Sequence, residues 1–206
     1  DSLPFLGCTT MDVGLIRAKV ARLSVCGELG YEINCAMDEH ITLREILLEA
    51  GQAYDIREFG FYAMNSLRLE KSFGVWSAEF TQAYTPGMTG LDRWIDWTRD
   101  DFVGHEAAHK ERQEKTALKT LVTLEIDAQD ADASGYEPVW QGDRRVGFVT
   151  SGGFGHYVGK SLAMALVDRN AVGNNKALDV HVVGKRLAAR IIEKPPWDPA
   201  SERMRI

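Results

Sequence analysis

Cysteine is scarce in this sequence: there are three, Cys8, Cys26 and Cys35, with no C-x-x-C pair among them. An odd set without paired spacing excludes a disulfide framework and a thiolate zinc site, so the three read as buried small apolar residues. Long hydrophobic runs are missing too. Charge interrupts every apolar stretch well short of the roughly 18 residues that a membrane-spanning helix needs. The opening Asp1-Ser2-Leu3-Pro4 lacks the basic and apolar regions of a signal peptide, so a cytoplasmic protein without a membrane partner is expected. Positive charge is in deficit, with 24 Lys and Arg against 30 Asp and Glu and a net charge of −6. That sign excludes attachment to nucleic acid or anionic lipid by bulk charge and points to a small molecule or a protein as partner. No G-x-G-x-x-G follows a strand pattern, which excludes a flavin or nicotinamide domain within these residues.

What is present is a chain of 206 residues, 45% hydrophobic and 26% charged, enough to bury a real core as one large domain or two small ones. Leu15 to Cys35 is β-rich, and Gly27-Glu28-Leu29-Gly30 separates two runs, Ala18–Val25 and Tyr31–Cys35, that are expected to pair. A helix is predicted from Asp38, as its cap, to Ala50, with Ile41, Leu43, Ile46, Leu47 and Ala50 as its apolar stripe and Gly51 as a left-handed terminator. A short strand at Ala53–Arg57 should lead into a second helix over Gly60–Lys71, half-buried along Phe61, Met64, Leu67 and Leu69. A third helix, capped by Asp100 or Asp101, is predicted through Lys115. From Leu118 onward short strands and tight turns dominate, with Gly142-Asp143 and Gly184-Lys185 reading as two-residue hairpin turns. The expected division is an α+β domain over 1–115 and a small antiparallel β-barrel over 116–206. The chain begins at Asp1 rather than Met, inside a strand-like pattern, and reads as a fragment.

Two motifs invite a catalytic reading and do not sustain it. His105-Glu106-Ala107-Ala108-His109 matches the zinc pattern H-E-x-x-H, but the helix continues into the charged run Lys110 to Lys115 and no third ligand follows. Gly155-His156-Tyr157-Val158-Gly159-Lys160-Ser161 resembles a phosphate loop with one residue too few between its glycines, and is expected to be a hairpin loop. Gly27-Glu28-Leu29-Gly30-Tyr31-Glu32 is more informative. Its glycines permit a turn that leaves Glu32 at the start of a strand, where two acceptor oxygens suit a ligand edge bearing adjacent N–H donors.

That segment, with Asn65-Ser66-Leu67-Arg68-Leu69-Glu70-Lys71, Thr85-Pro86, Asp101-Phe102-Val103-Gly104-His105-Glu106-Ala107, Arg145 to Gly153 and Gly159-Lys160-Ser161-Leu162-Ala163, resembles in order the aminomethyltransferase (glycine cleavage T-protein) family. The variants Glu28-Leu29-Gly30-Tyr31-Glu32 and Arg68-Leu69-Glu70-Lys71-Ser72-Phe73, with Pro195-Pro196-Trp197-Asp198-Pro199, are most similar to the C-terminal folate-binding part of dimethylglycine and sarcosine dehydrogenases. The resemblance implies a tetrahydrofolate-dependent one-carbon transfer unit, with an α+β folate-binding region followed by a β-barrel. It implies that Glu32 holds the pterin ring, that Arg68 is the folate-site arginine, and that Trp76 lines the same channel. Folate and an N-methylated amine or its methylene product are the implied partners, and FAD belongs to a domain outside this chain. The family's catalytic aspartate lies upstream of the matched region and Asp12 does not match it, so no catalytic residue is assigned and a fragment inactive by itself is expected. Val25 stands before the turn where the family commonly carries a tyrosine, and Cys26 is unusual beside it; Val25 and the absent aspartate leave a non-catalytic folate-binding or interaction module as the alternative. An exposed sheet edge near the N-terminus would permit a homo-oligomer.

Overall fold

A computed structural model describes residues 3–173 and 177–206; Asp1 and Ser2, part of the stretch read for a leader, lie outside the described residues. The chain forms two compact units, residues 1–68 with 198–206 and residues 69–197.

In the first unit, β1 (Cys8–Val13), β2 (Ile16–Ala21) and β3 (Glu32–Asn34) make an antiparallel sheet in that order. Strand β2 alternates: Ile16, Ala18 and Val20 are buried and Arg17 and Lys19 exposed, the period of a strand with one covered face. The expected pairing is present, with Lys19 opposite Asn34 and Ala21 opposite Glu32, but the first strand ends at Ala21 rather than Val25. Helix α1 (His40–Gly51) begins later than its sequence signal. Asp38 does not cap it; a 3-10 turn over Met37–Glu39 precedes the helix, and no side-chain cap is made. Leu43 is buried, whereas Ile41 at the start of the expected stripe is 70% exposed. Gly51 has an ordinary helical φ of −78°, and the left-handed residue is Asp55, after a further 3-10 turn over Gln52–Tyr54. Gly51 is needed for space instead, because a Cβ there would meet Ile56 at 2.6 Å. That turn also replaces the strand expected at Ala53–Arg57. The cysteines depart from expectation as well: Cys8 is exposed and Cys26 and Cys35 are half-buried.

Helix α2 (Phe61–Glu70) carries the division between the units, which falls after Arg68. Its burial grows along the axis rather than around it: Phe61 is 67% exposed, while Arg68, Leu69 and Glu70 are buried. Phe61 therefore does not share the covered face assigned to it.

In the second unit, α3 (Pro86–Thr89) is capped by the Thr85 side chain, and α4 (His105–Glu114) starts after Gly104 at a φ of 91°. Asp100 and Asp101 do not cap α4; Asp101 instead takes two hydrogen bonds from Arg99. Strands β4 (Lys119–Ile126), β5 (Pro138–Gln141), β6 (Arg144–Gly155), β7 (Lys160–Asp168), β8 (Leu178–Val182) and β9 (Lys185–Ile192) close into an antiparallel barrel in the order β4-β7-β6-β5-β8-β9. The α+β class with an antiparallel barrel is thus present. Leu124, Val139, Val149, Ala163, Ala165 and Val180 fill the barrel, while Leu162 and Met164, on the other face of β7, pack against Leu69. Gly142-Asp143 joins β5 to β6 as expected, whereas the β8–β9 turn is Val183-Gly184, both at positive φ, one residue earlier than read. Among the described residues no helix is long and apolar enough to cross a membrane.

Candidate functional site

The turn before β3 separates its carboxylates by what each already holds. Ser24 Oγ accepts the Gly27 N–H at 2.9 Å, and Gly27 takes a φ of 84° that favours glycine. Glu28 accepts from Arg203 Nε at 2.6 Å, so part of its charge is committed within the unit. Glu32, the first residue of β3, is exposed and takes one 3.3 Å hydrogen bond from the Asn34 amide to Oε1. A carboxylate offers about four lone-pair directions, so Glu32 retains acceptor capacity for a paired donor edge.

Arg68 is 1% exposed near the end of α2, and its Nε and Nη2 donate to Asn65 Oδ1 at 2.9 and 2.6 Å. The helix brings these residues together, because positions three apart share a face. A buried guanidinium must be hydrogen-bonded to be tolerated, and Asn65 fixes the plane of its fork. Two residues on, Glu70 is also 1% exposed; its Oε1 accepts the N–H groups of Tyr157 and Val158 at 2.7 and 3.1 Å. Those amides belong to the loop whose glycines imitate a phosphate cradle. The loop is the β6–β7 hairpin connection, as expected, and its amides grip an internal carboxylate.

Trp76 is 81% exposed, with its ring edge-on to Phe80 at 6.1 Å. It stands on a tight turn in which the Val75 carbonyl accepts the N–H groups of Ala78, Glu79 and Phe80. Gly74 has no room for a side chain there: a Cβ would lie 2.6 Å from Phe80 Cζ and 2.9 Å from Glu79 Cβ. Glu79 is fully buried, takes the Val75 N–H on Oε2 at 2.9 Å, and takes the hydroxyls of Thr150 and Ser151 on Oε1, each at 2.5 Å. Sequence reading did not find Glu79, because its partners are 71 and 72 positions away and nothing local marks the pairing.

His105 and His109 lie one turn apart on α4 with ring centroids 4.3 Å apart. His109 also meets Trp97 edge-on at 5.1 Å, and the Arg112 guanidinium sits 4.4 Å from the Trp97 ring centroid. This is an aromatic and cationic stack; among the described residues no group of three or more His, Cys, Asp or Glu is placed to hold a metal. Of the residues singled out for ligand binding, Glu32 and Arg68 belong to the first unit and Trp76 to the second.

Comparison with known proteins places this geometry in context. Residues 1–99 match the family model of the GCVT N-terminal domain, and residues 119–198 that of the glycine cleavage T-protein C-terminal barrel domain. The chain is 34% identical over 196 residues to the mitochondrial dimethylglycine dehydrogenase of Homo sapiens, which covers 95% of this chain and 22% of that protein. It is 30% identical over 193 residues to the aminomethyltransferase of Bacillus subtilis, covering 93% of this chain and 53% of that protein. Its fold is similar to the crystal structure of the glycine cleavage system aminomethyltransferase T from Bartonella henselae, with a TM-score of 0.83 at 24% identity over 96% of this chain and 54% of that one. The chain thus spans 22% of the human dehydrogenase and 53% of the Bacillus aminomethyltransferase.

Proposed function

Because this chain belongs to the aminomethyltransferase (glycine cleavage T-protein) family, we propose that it binds tetrahydrofolate and forms part of a one-carbon transfer unit in an enzyme similar to the dimethylglycine and sarcosine dehydrogenases. The observation that carries this reading is Glu32: an exposed carboxylate at the mouth of a held turn, with acceptor oxygens left for a donor pair. The pterin ring offers such a pair in its 2-amino group and adjacent ring N–H, and a bidentate match of this kind fixes orientation as well as energy. Arg68 contributes a buried positive charge whose plane Asn65 sets, and Trp76 offers an aromatic face to the pterin or benzoyl ring. Tetrahydrofolate would supply the amine that accepts a one-carbon unit released from an N-methylated amine, while Glu32 would orient its pterin ring.

In this reading amine oxidation on FAD belongs to a separate domain. A homo-oligomer formed through β1, an edge strand whose residues are nearly all exposed, is part of the same proposal, and a monomeric mass at every concentration in light scattering would remove it. The second reading, a non-catalytic folate-binding or interaction module, draws on Val25 before the turn and on the lack of a match to the family's catalytic aspartate.

Calorimetric titration with 5-formyltetrahydrofolate tests the main reading. Glu32→Ala should weaken binding by about 1–3 kcal/mol, the range for leaving the ligand's donors unpaired. Unchanged affinity would remove Glu32 from the site.

A further inference from the structure

Thr150 and Ser151 belong to a motif that the folate reading leaves without a task. Successive residues of a strand point to opposite faces, yet both hydroxyls donate to one oxygen, Glu79 Oε1. The ladder supplies the reason. Val149 faces Ala165 and Ser151 faces Met164, so Thr150 is the extra residue of a β-bulge in β6. A bulge breaks the alternation and can turn neighbouring side chains to the same side, and bulges gather beside functional sites for that purpose. Thr150 Oγ1 also lies 3.1 Å from the Met164 carbonyl oxygen across the ladder.

Glu79 transmits this arrangement to the turn of residues 74–80. Its other oxygen holds the Val75 N–H, and the Val75 carbonyl gathers the amides of Ala78, Glu79 and Phe80. A fully buried carboxylate gripped by hydroxyls and an amide has little freedom, because loss of any donor leaves charge exposed to a medium that solvates it poorly. Trp76 lies between the two gripped residues, Val75 and Glu79, and yet is 81% exposed. The turn is therefore anchored tightly while its largest apolar side chain is displayed rather than buried, the reverse of what core packing would select.

We propose that Thr150 and Ser151 are positioning residues which, through Glu79, fix the turn that presents the Trp76 ring to an aromatic heterocyclic ligand. Identification of that ligand as folate rests on the function proposed above. The barrel then has a part in ligand binding without contacting the ligand: it supplies the rigid floor on which the aromatic contact is mounted.

The test is fluorine NMR of the 206-residue chain labelled with 5-fluorotryptophan, with the Trp76 resonance assigned by Trp76→Phe and Trp140 on β5 serving as the report of an intact barrel. In the double variant Thr150→Val with Ser151→Ala, the Trp76 resonance should shift and broaden while that of Trp140 holds, and Thr150→Ser, which keeps the hydroxyl, should retain the native spectrum. An unmoved Trp76 resonance in a folded variant overturns the proposal. If the double variant loses the Trp140 signal by unfolding, Ser151→Ala alone and Glu79→Gln are read in the same way, and an unmoved Trp76 resonance in both overturns it. Titration with 5-formyltetrahydrofolate then separates the two levels of the argument. Trp76→Ala should weaken binding by about three- to tenfold, the fold-change expected for loss of an aromatic contact, with the double variant falling in the same direction. Full affinity in Trp76→Ala would sink the folate role of Trp76 and leave the NMR result to decide the clamp; weakened Trp76→Ala beside an unaffected double variant would overturn the clamp.

Discussion

Glu125 on β4 shows how a single carboxylate writes a pH dependence into the barrel. Arg190 Nη2 approaches it at 2.7 Å and Lys160 Nζ at 3.3 Å, and the Glu125 side chain is 20% exposed. Burial pushes its pKa up, but the hydrogen bonds and charges of Arg190 and Lys160 prevail and hold it below the ordinary glutamate range. A depressed folded-state value stabilises the protein above the unfolded value of about 4.3, and the contribution is lost as pH falls through the lower folded value. Thermal unfolding followed from neutral pH into the acid limb should therefore show a shallower loss of stability for Glu125→Gln than for the parent chain. Glu70 makes a different prediction, because it satisfies two backbone amides rather than two cations. Glu70→Ala leaves the Tyr157 and Val158 N–H groups without this acceptor and should cost about 1–3 kcal/mol in denaturant unfolding. At this scale the sequence was legible where a residue acts through its neighbours. Glu32 at the head of a strand could be placed from the glycines before it, whereas Glu79 could not, since its donors come from a strand far along the chain.

At the scale of elements, strand alternation and tight turns were easier to read than helix ends, although the strand expected at Ala53–Arg57 gives way to a 3-10 turn. Burial of alternate residues in β2 and the tight turn at Gly142-Asp143 are local signals that the fold obeys. The helix caps were not. Asp38 and Asp101 have the right side chain for a cap, yet one sits inside a 3-10 turn and the other is bonded to Arg99. A cap residue is defined by its backbone geometry, and several acidic residues near a helix start compete for that place. Glycines in the barrel give the sharpest element-level prediction. A Cβ on Gly147 would collide with the Leu166 carbonyl oxygen and lie 2.8 Å from Val167 Cα, both backbone atoms of the paired strand β7. Neither can move without opening the ladder, so Gly147→Ala should destabilise the protein by at least about 2 kcal/mol in a thermal or denaturant melt. Gly142→Ala, where a Cβ meets nothing within 4 Å but φ is 58°, should cost about 1 kcal/mol through backbone strain alone.

For the molecule as a whole, the residues most withdrawn from water lie in the barrel, where nearly every residue of β7 is buried and both of its neighbours are long strands. Native-state hydrogen exchange should find the slowest amides in β6 and β7, and much faster exchange in the edge strand β1. Comparable protection of β1 would mean that its edge is covered in solution, as the homo-oligomer proposal requires. The sequence by itself determined the family, the α+β class with a barrel at its C-terminal end, and the existence of a turn that carries Glu32. Each rests on short-range patterns of glycine, alternation and ordered motifs, which need no knowledge of what lies opposite. Only the tertiary structure decided that the phosphate-like loop holds Glu70, that α2 is buried by its end rather than its face, and that a bulge in β6 grips Glu79 beneath the Trp76 turn. Those outcomes depend on which distant groups meet a buried charge, and a charge taken out of water is satisfied by whatever donors the fold brings to it.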